Sequence, residues 1–301
     1  MRLLDVHQLK FKYFFDETKR PPYAILSHTW GDGEVTIQDF ETPAATSMAG
    51  YAKIKKCCER AIEDGFKYVW IDTCCIDKTS SSELSEAINS MYQWYKSAVV
   101  CYAYLSDVQA GGDQESPFSK SRWFTRGWTL QELIAPNTLI FYDSMWTEIG
   151  TKFSLREDIS NITGIPREAL AFKPMSDFSI AQRMSWAAMR ETTRVEDIAY
   201  CLMGIFDVNM PTLYGEGQQA FFRLQQEIMK SSDDHSLFVW ATPNPTSNHE
   251  FIDFFQYPET GLLASSPRQF QYAQGVRRLE VASSKHPHSL TNTGIHIWLP
   301  V

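Results

Sequence analysis

The residues best suited to chemistry lie in one short segment, residues 121–136. They are Trp123, Trp128, Arg122, Arg126 and Glu132. The tryptophan rings offer surfaces on which a base can stack, and the guanidinium groups carry fixed charge for a phosphate or a carboxylate. Glu132 lies one turn into the helix that the segment predicts, where a carboxylate can face a cleft. A segment that only packed a core would not need this mixture, so we treat it as a candidate ligand site.

Glu132 has a second interpretation within the same segment. Thr129 and Glu132 have the spacing of a capping box, in which the glutamate bonds only to the backbone at the start of the helix. One carboxylate oxygen could serve the cap while the other faces the cleft. The residues alone leave both roles open.

A second group of candidates lies in the loop 27–33, after a short apolar run. Ser27 and the backbone N–H groups around Gly31 are suited to holding a phosphate, although the loop has neither the G-x-G-x-x-G nor the Walker pattern. A simple glycine turn explains the same residues. His28 at a strand end favours a hydrogen-bonded structural histidine over a catalytic one.

Asp72 follows another apolar run and also has two interpretations. It could bind a ribose, or it could cap the turn that follows the strand. Trp30 is likewise read either as a wall of the site or as a core residue. The tryptophans read only as core residues are Trp70, Trp94 and Trp186.

The six cysteines supply an alternative chemistry. They include two adjacent pairs and no C-x-x-C spacing, so we predict neither a structural zinc site nor any other metal ligand. We expect buried free thiols in a reducing, cytosolic protein. The competing enzyme is a cysteine hydrolase, with Cys75 as nucleophile, His28 as base and Asp72 as the orienting carboxylate.

The elements that must position these residues alternate between strands and helices. Apolar runs predict strands at 23–27, 68–71, 97–105 and 139–142. Strands that alternate with helices predict an α/β fold, in which a parallel sheet is flanked by helices and ligands bind at the carboxyl ends of the strands. The polar candidates follow these predicted strands, which agrees with that rule.

The pattern of predicted strands and helices divides the chain into four parts. They are an irregular N-terminal arm (1–22), an α/β core (23–150), a mainly helical extension (151–235) and a small β-containing C-terminal part (236–301). Within the last two parts, the patterns predict helices at 155–170, 180–205 and 218–230 and short strands at 237–240 and 294–299.

Composition excludes several classes of protein. The 301 residues are 44% hydrophobic and 14% aromatic, which is enough for a real core and excludes a disordered chain. The 28 basic and 36 acidic residues give a net charge of −8, which argues against nucleic-acid binding. We expect neither a secretory signal nor a membrane span, because no stretch has the required apolar run.

Three blocks of the chain resemble the signature blocks of the fungal heterokaryon-incompatibility (HET) domain. They are residues 23–31 (YAILSHTWG), 69–77 (VWIDTCCID) and 126–133 (RGWTLQEL). Further blocks at 183–187, 196–201 and 213–217 resemble the extension that often follows this domain. The resemblance implies a role in non-self recognition and programmed cell death in filamentous fungi. It also implies a partner, a nucleotide-binding receptor module in the same or another chain.

HET domains are in turn similar to TIR domains, which have a flavodoxin-like sheet. Residues 128–133 (WTLQEL) resemble the TIR block W-C-x-x-E-L, with Thr129 in place of the cysteine, and residues 23–33 and 141–143 resemble TIR strand ends. In TIR enzymes the glutamate of this block is catalytic for the cleavage of NAD⁺. The resemblance therefore implies that Glu132 is catalytic, that NAD⁺ is a substrate and no cofactor is needed, and that the domain self-associates.

The residues expected to contact NAD⁺ come from the loop, the strand ends and the tryptophan-rich segment. They are Ser27, His28, Trp30, Gly31, Asp72, Trp123, Arg126 and Trp128. The alternative from another class is a self-associating signalling adaptor without enzymatic activity, in which Glu132 is only a helix cap.

Overall fold

The computed structural model describes residues 1–109, 117–171, 173–241, 261–278, 289–291 and 294–296. The chain divides into two compact units, Met1–Ile162 and Thr163–Val301. All of the candidate site residues lie in the first unit. Within the described ranges, no helix combines the length and the apolar character that crossing a bilayer requires.

Seven strands of the first unit form one open sheet. They are β1 (Arg2–Asp5), β2 (Lys10–Tyr13), β3 (Ala24–His28), β4 (Tyr68–Trp70), β5 (Val100–Tyr104), β6 (Leu139–Tyr142) and β7 (Glu148–Thr151). Their order is β2-β1-β4-β3-β5-β6-β7. The four central strands, β4, β3, β5 and β6, are parallel, whereas β1, β2 and β7 are antiparallel to their neighbours. The predicted α/β class is confirmed, and the antiparallel edges are an addition to it.

Helices surround this sheet and explain why its centre is so apolar. They are α1 (Ile37–Phe40), α2 (Ala49–Glu63), α3 (Asp72–Cys75), α4 (Ser81–Ser97), α5 (Thr129–Ile134) and α6 (Arg156–Thr163). Every residue of β3 is buried, as is typical of a parallel strand covered on both faces. Two hydroxyl groups join α4 to this part of the sheet: Tyr23 donates to the Trp94 carbonyl over 2.6 Å, and Tyr95 donates to the Leu26 carbonyl over 3.0 Å.

The chain changes direction across the sheet at β3. From β3 the chain runs through α2 to β4, which lies on one side of β3. It then runs through α4 to β5, which lies on the other side of β3. The register pairs Ser27 with Ala103 and His28 with Tyr104, so the carboxyl end of β3, which holds Ser27 and His28, lies beside the carboxyl end of β5. Open α/β sheets bind ligands outside this edge, where the strand order reverses.

The first residues are not the irregular arm that we predicted. β1 pairs antiparallel with β2 and with β4, so the segment extends the sheet. Arg2 also forms an ion pair with Glu83 of α4, with 2.8 Å between Nη1 and Oε1. The two strands are four residues long and carry charged side chains, so no apolar run marks them in the sequence.

The described part of the second unit is mainly helical. Its elements are α7 (Arg167–Leu170), α8 (Ile180–Ser185), α9 (Asp197–Tyr200), α10 (Met203–Phe206), α11 (Gln219–Ser231) and the antiparallel pair β8 (Ser289–Thr291) and β9 (Gly294–His296). The helix predicted at 218–230 is confirmed as α11. The strand predicted at 237–240 is wrong, because a 3₁₀ helix spans His235–Phe238. The strand predicted at 294–299 begins as β9, and its residues 297–299 lie outside the described residues.

The two longer helices predicted for this region are also wrong, because each is interrupted. Gly164 adopts a φ of +69° and Pro166 precedes α7, which separates α6 from α7. Between α8 and α9, the Thr192 hydroxyl donates to the Arg194 carbonyl over 2.6 Å. Such a local bond between a side chain and the backbone competes with helix formation.

Candidate functional site

Trp123, Ser27 and Glu132 form one hydrogen-bonded chain in the interior of the first unit. Ser27 Oγ donates to Glu132 Oε2, and Trp123 Nε1 donates to Ser27 Oγ over 2.8 Å. The three side chains come from α5, the end of β3 and the 3₁₀ helix Arg122–Thr125. A hydroxyl that donates to a carboxylate makes a charge-assisted bond, which restricts the orientation of the carboxylate. The structure therefore brings together three of the predicted site residues.

The carboxylate of Glu132 belongs to a buried residue. The residue is 7% exposed. Burial and, after it, the charge of Glu132 raise the pKa of the Tyr95 hydroxyl and of the Cys101 thiol, which lie beside it. Electrostatic interactions are stronger in such a site than in water, because little solvent screens them.

The start of α5 ties this helix to the segment before it. Trp128 occupies the N-cap position, and its side chain makes no capping hydrogen bond. The Thr129 hydroxyl donates to the carbonyls of Trp123 and Arg126, the latter over 2.9 Å. The predicted capping box of Thr129 and Glu132 is therefore wrong, because Thr129 lies inside the helix and its hydroxyl donates to carbonyl groups that precede it.

Lys152 supports α5 at its other end. Its Nζ donates to the carbonyl groups of Leu133, over 3.2 Å, and of Pro136. Carbonyl groups in the last turn of a helix lack partners within the helix, and the helix dipole favours a cation there. Burial lowers the pKa of the Lys152 ammonium to about 8. Sequence reasoning missed this residue, because nothing local connects it with α5.

His28 and Asp72 are neighbours at the same edge of the sheet. His28 Nε2 is 3.5 Å from Asp72 Oδ1. Burial lowers the pKa of His28 well below its usual value, so the ring is neutral and this contact is not an ion pair. Among the residues that the structure describes, neither ring nitrogen finds a hydrogen-bond partner. The histidine is buried, as expected of a structural residue, but the hydrogen bond that we predicted for it is not formed.

The interpretation of Trp30 as a core residue is wrong, because this residue is 50% exposed. Its Nε1 donates to Asp72 Oδ2 over 2.7 Å, and Lys78 Nζ lies 3.4 Å from the centroid of the ring. Asp72 is thereby placed next to the tryptophan. The other tryptophans predicted to be core residues are buried, namely Trp70, Trp94 and Trp186.

The loop after β3 is fixed by a carboxylate of its own. The Gly31 N–H donates to Glu34 Oε1 over 2.9 Å, and Lys53 of α2 forms an ion pair with the same oxygen. The Gly31 N–H therefore does not face an open anion site in this conformation. The Ser27 hydroxyl is likewise occupied, so we assign it to holding Glu132 and not to a phosphate.

Arg122 connects this loop with the tryptophan-rich segment. Its Nη2 donates to the Trp30 carbonyl over 3.2 Å and lies 3.5 Å from Thr29 Oγ1. Its backbone N–H donates to Asp107 Oδ2 over 2.7 Å. From the sequence, both Arg122 and Arg126 were candidates for binding a phosphate or a carboxylate, but only Arg126 was expected to contact NAD⁺. Arg126 and Trp128 are half-buried at the start of α5, whereas Arg122 lies against the exposed tryptophan.

The cysteines are free and buried, as predicted. Cys75 Sγ accepts from the Ile71 N–H over 3.5 Å, and His28 makes no hydrogen bond to it. The nucleophile and base of a cysteine hydrolase are therefore not assembled. In the ranges that the structure describes, no group of His, Cys, Asp and Glu side chains could hold a metal ion.

Comparison with known proteins identifies two matching families and one relative. Residues 23–116 match the profile of the heterokaryon incompatibility protein (HET) family, and residues 219–297 match a domain of unknown function (DUF8212). The chain is similar to vegetative incompatibility protein HET-E-1 of Podospora anserina, with 47% identity over 266 residues. The match covers 84% of this chain but only 20% of that protein. No solved structure matches the chain.

Proposed function

This chain carries a heterokaryon-incompatibility (HET) domain, and we propose that it is a cytoplasmic cell-death effector of fungal non-self recognition that hydrolyses NAD⁺ through Glu132. The similarity to a vegetative incompatibility protein supports the biological role. The enzymatic activity is supported by the resemblance of residues 128–133 to the TIR block and by the geometry around Glu132.

The observation that carries the enzymatic proposal is the hydrogen-bonded chain from Trp123 through Ser27 to Glu132. It holds a carboxylate at the edge of the sheet where α/β proteins bind ligands. Burying an ionised carboxylate costs free energy unless hydrogen bonds compensate it. A carboxylate that is buried and oriented at this edge is suited to stabilising positive charge on a bound substrate.

In the proposed reaction, the bond between nicotinamide and C1′ of the ribose breaks, and the electron pair leaves with nicotinamide as a neutral molecule. Water then adds to C1′ and loses a proton, which gives ADP-ribose. Glu132 stabilises the oxocarbenium-like ribose at the transition state, and Ser27 keeps the carboxylate in one orientation. A strong general acid is not needed, because the leaving group is neutral.

The substrate needs access to a carboxylate that is 7% exposed. The residues around Glu132 must therefore move apart before a ribose can reach it. We propose that self-association of the domain drives this opening, and that a nucleotide-binding receptor module in the same or another chain triggers it. Control of a buried site by assembly would keep a toxic activity low until non-self is recognised.

The experiment that tests the proposal measures nicotinamide release from NAD⁺ by the purified chain, at high concentration and after chemical cross-linking. The Glu132→Gln variant removes the negative charge with little change in shape. We expect it to lose turnover by about 100-fold or more, since electrostatic stabilisation of this kind contributes that much. A Glu63→Gln variant, at an exposed position on α2, serves as the matched control and keeps full activity.

Two results would contradict the enzymatic proposal. One is equal turnover in the Glu132→Gln variant, with circular dichroism showing an intact fold. The other is a lack of nicotinamide release even from the cross-linked protein, which would favour the self-associating adaptor. In that case, surface substitutions that block assembly abolish toxicity in cells, whereas Glu132→Gln does not.

A further inference from the structure

Trp30 is held rigidly although half of it is exposed. Asp72 accepts a hydrogen bond from the indole N–H over 2.7 Å, and Lys78 covers one face of the ring with its ammonium 3.4 Å from the centroid. The residue is 50% exposed, and Lys78 covers only one of the two faces of the ring. A flat aromatic surface that is already immobilised loses little conformational entropy when another ring stacks on it.

A guanidinium group lies directly beside this ring. Arg122 Nη2 donates to the carbonyl of Trp30 over 3.2 Å. Arg122 is exposed, so its remaining N–H groups can reach an anion, and a guanidinium is the side chain best matched to phosphate oxygens. The base-stacking surface and the phosphate donor are therefore neighbours.

The same segment leads from Arg122 to the candidate catalytic carboxylate. Trp123, the next residue in the chain, donates to Ser27, and Ser27 donates to Glu132. Contacts between neighbouring residues thus connect an exposed aromatic ring, a guanidinium and a buried carboxylate. A dinucleotide presents a base, a diphosphate and a ribose in succession.

We infer that Trp30 and Arg122 bind the adenosine diphosphate half of the dinucleotide, with adenine stacked on the face of Trp30 opposite Lys78 and the diphosphate paired with Arg122. The identity of the dinucleotide rests on the proposed function, but the adenylate site itself does not. Adenine fits this surface better than the nicotinamide ring of NAD⁺ does. The nicotinamide ring is cationic, and Lys78 already places a positive charge against the same indole.

Binding of AMP, ADP-ribose and adenosine by isothermal titration calorimetry tests the inference without any turnover. We expect Trp30→Ser to weaken AMP binding by about tenfold or more and Trp30→Phe to weaken it less, since stacking contributes on this scale. Phe153→Ser is the matched control, because Phe153 is 58% exposed and has Arg156 over its ring at 4.3 Å. AMP binding by this control stays at the wild-type value.

Arg122 is tested by comparing ligands with and without phosphate. We expect Arg122→Gln to weaken ADP-ribose binding and to reduce its dependence on salt, while adenosine binding stays unchanged. The inference is overturned if the wild-type chain does not bind AMP at millimolar concentration, or if Trp30→Ser binds AMP as the wild type does.

Turnover adds a second readout that separates this inference from the proposed function. If NAD⁺ is hydrolysed, Trp30→Ser raises the KM for NAD⁺ by a larger factor than the KM for nicotinamide mononucleotide, which lacks the adenylate. Equal effects on both substrates would place Trp30 against nicotinamide and overturn the inference. If no turnover occurs but Trp30→Ser abolishes AMP binding, the proposed function fails and the adenylate site stands.

Discussion

The hydroxyl of Ser27 donates its hydrogen to the carboxylate of Glu132, although 105 positions separate the two residues in the chain. The indole N–H of Trp123 donates to the same hydroxyl, so one buried oxygen has two partners. These bonds exist only after β3, α5 and the 3₁₀ helix before α5 have packed together. The stability of the fold and the geometry of the candidate site are therefore coupled through Ser27.

Replacing Ser27 by Ala should destabilise the protein by about 1–3 kcal/mol, because the buried N–H of Trp123 and the carboxylate of Glu132 each lose a partner. The free energy of unfolding from urea denaturation measures this loss. The double variant Ser27→Ala/Trp123→Phe should cost less than the sum of the two single variants, since the indole donor that was left unpaired is then absent. Additive losses would show that the two bonds are energetically independent.

Acid should destabilise the protein at a higher pH than carboxylates alone would explain. The unfolded chain takes up a proton at His28 below pH ~6.5, whereas burial keeps the pKa of the folded histidine well below that value. The unfolded state then binds more protons, so stability falls by up to about 1.4 kcal/mol per pH unit below ~6.5. Unfolding free energies between pH 5 and pH 8 test this. His28→Gln should flatten the profile, whereas His7→Gln, at an exposed position, should leave it unchanged.

Lys152 should affect stability in alkali. Its pKa is about 8 in the folded protein, below the ordinary value near 10.5, so between these values the unfolded chain holds a proton that the native chain has released. Stability conferred by this group therefore rises with pH across that window. We expect the wild type to gain up to roughly 3 kcal/mol relative to Lys152→Met between pH 8 and pH 10.5. Lys55→Met, which removes an exposed lysine of α2, is the control. If the wild type gained as much stability relative to this control, the gain could not be assigned to Lys152.

Gly50 should be intolerant of a side chain although it lies in a helix. A Cβ atom there would lie 2.9 Å from Glu34 Cα and 3.0 Å from the Gly33 carbonyl oxygen, both in the backbone of the loop that carries Trp30. Gly50→Ala should therefore shift this loop, lower stability by about 1–3 kcal/mol and weaken AMP binding. Gly275→Ala, where a Cβ would meet no atom within 4 Å, provides the comparison. Unchanged melting temperatures in both variants would count against the close approach.

The central part of the fold could be predicted because its signals are local. Four apolar runs mark the parallel strands, and β6 spans the predicted residues 139–142. β7 (Glu148–Thr151) was missed for the reason that β1 and β2 were, since a short, half-exposed edge strand needs no apolar run. What the sequence could not specify is the pairing of residues far apart in the chain.

In the candidate site, too, the residues could be predicted from the sequence but their contacts could not. Glu132, Ser27 and Trp123 were each named from residue type and position, but the bonds that join them are long-range. Trp30 is a large aromatic residue, which in a sequence is typical of the core. In the structure, its contacts with Asp72 and Lys78 hold it at the surface. Arg122 and Arg126 are equivalent as residue types, and the fold decides which of them lies against Trp30.

The edges of the sheet limit how copies of this domain can be joined. β2 forms one border, and its Lys10 and Lys12 are exposed there. Lysines on an edge strand oppose the addition of a strand from a neighbouring molecule, because desolvating and crowding their charges is unfavourable. If copies of this domain associate, we therefore expect them not to extend the sheet at β2.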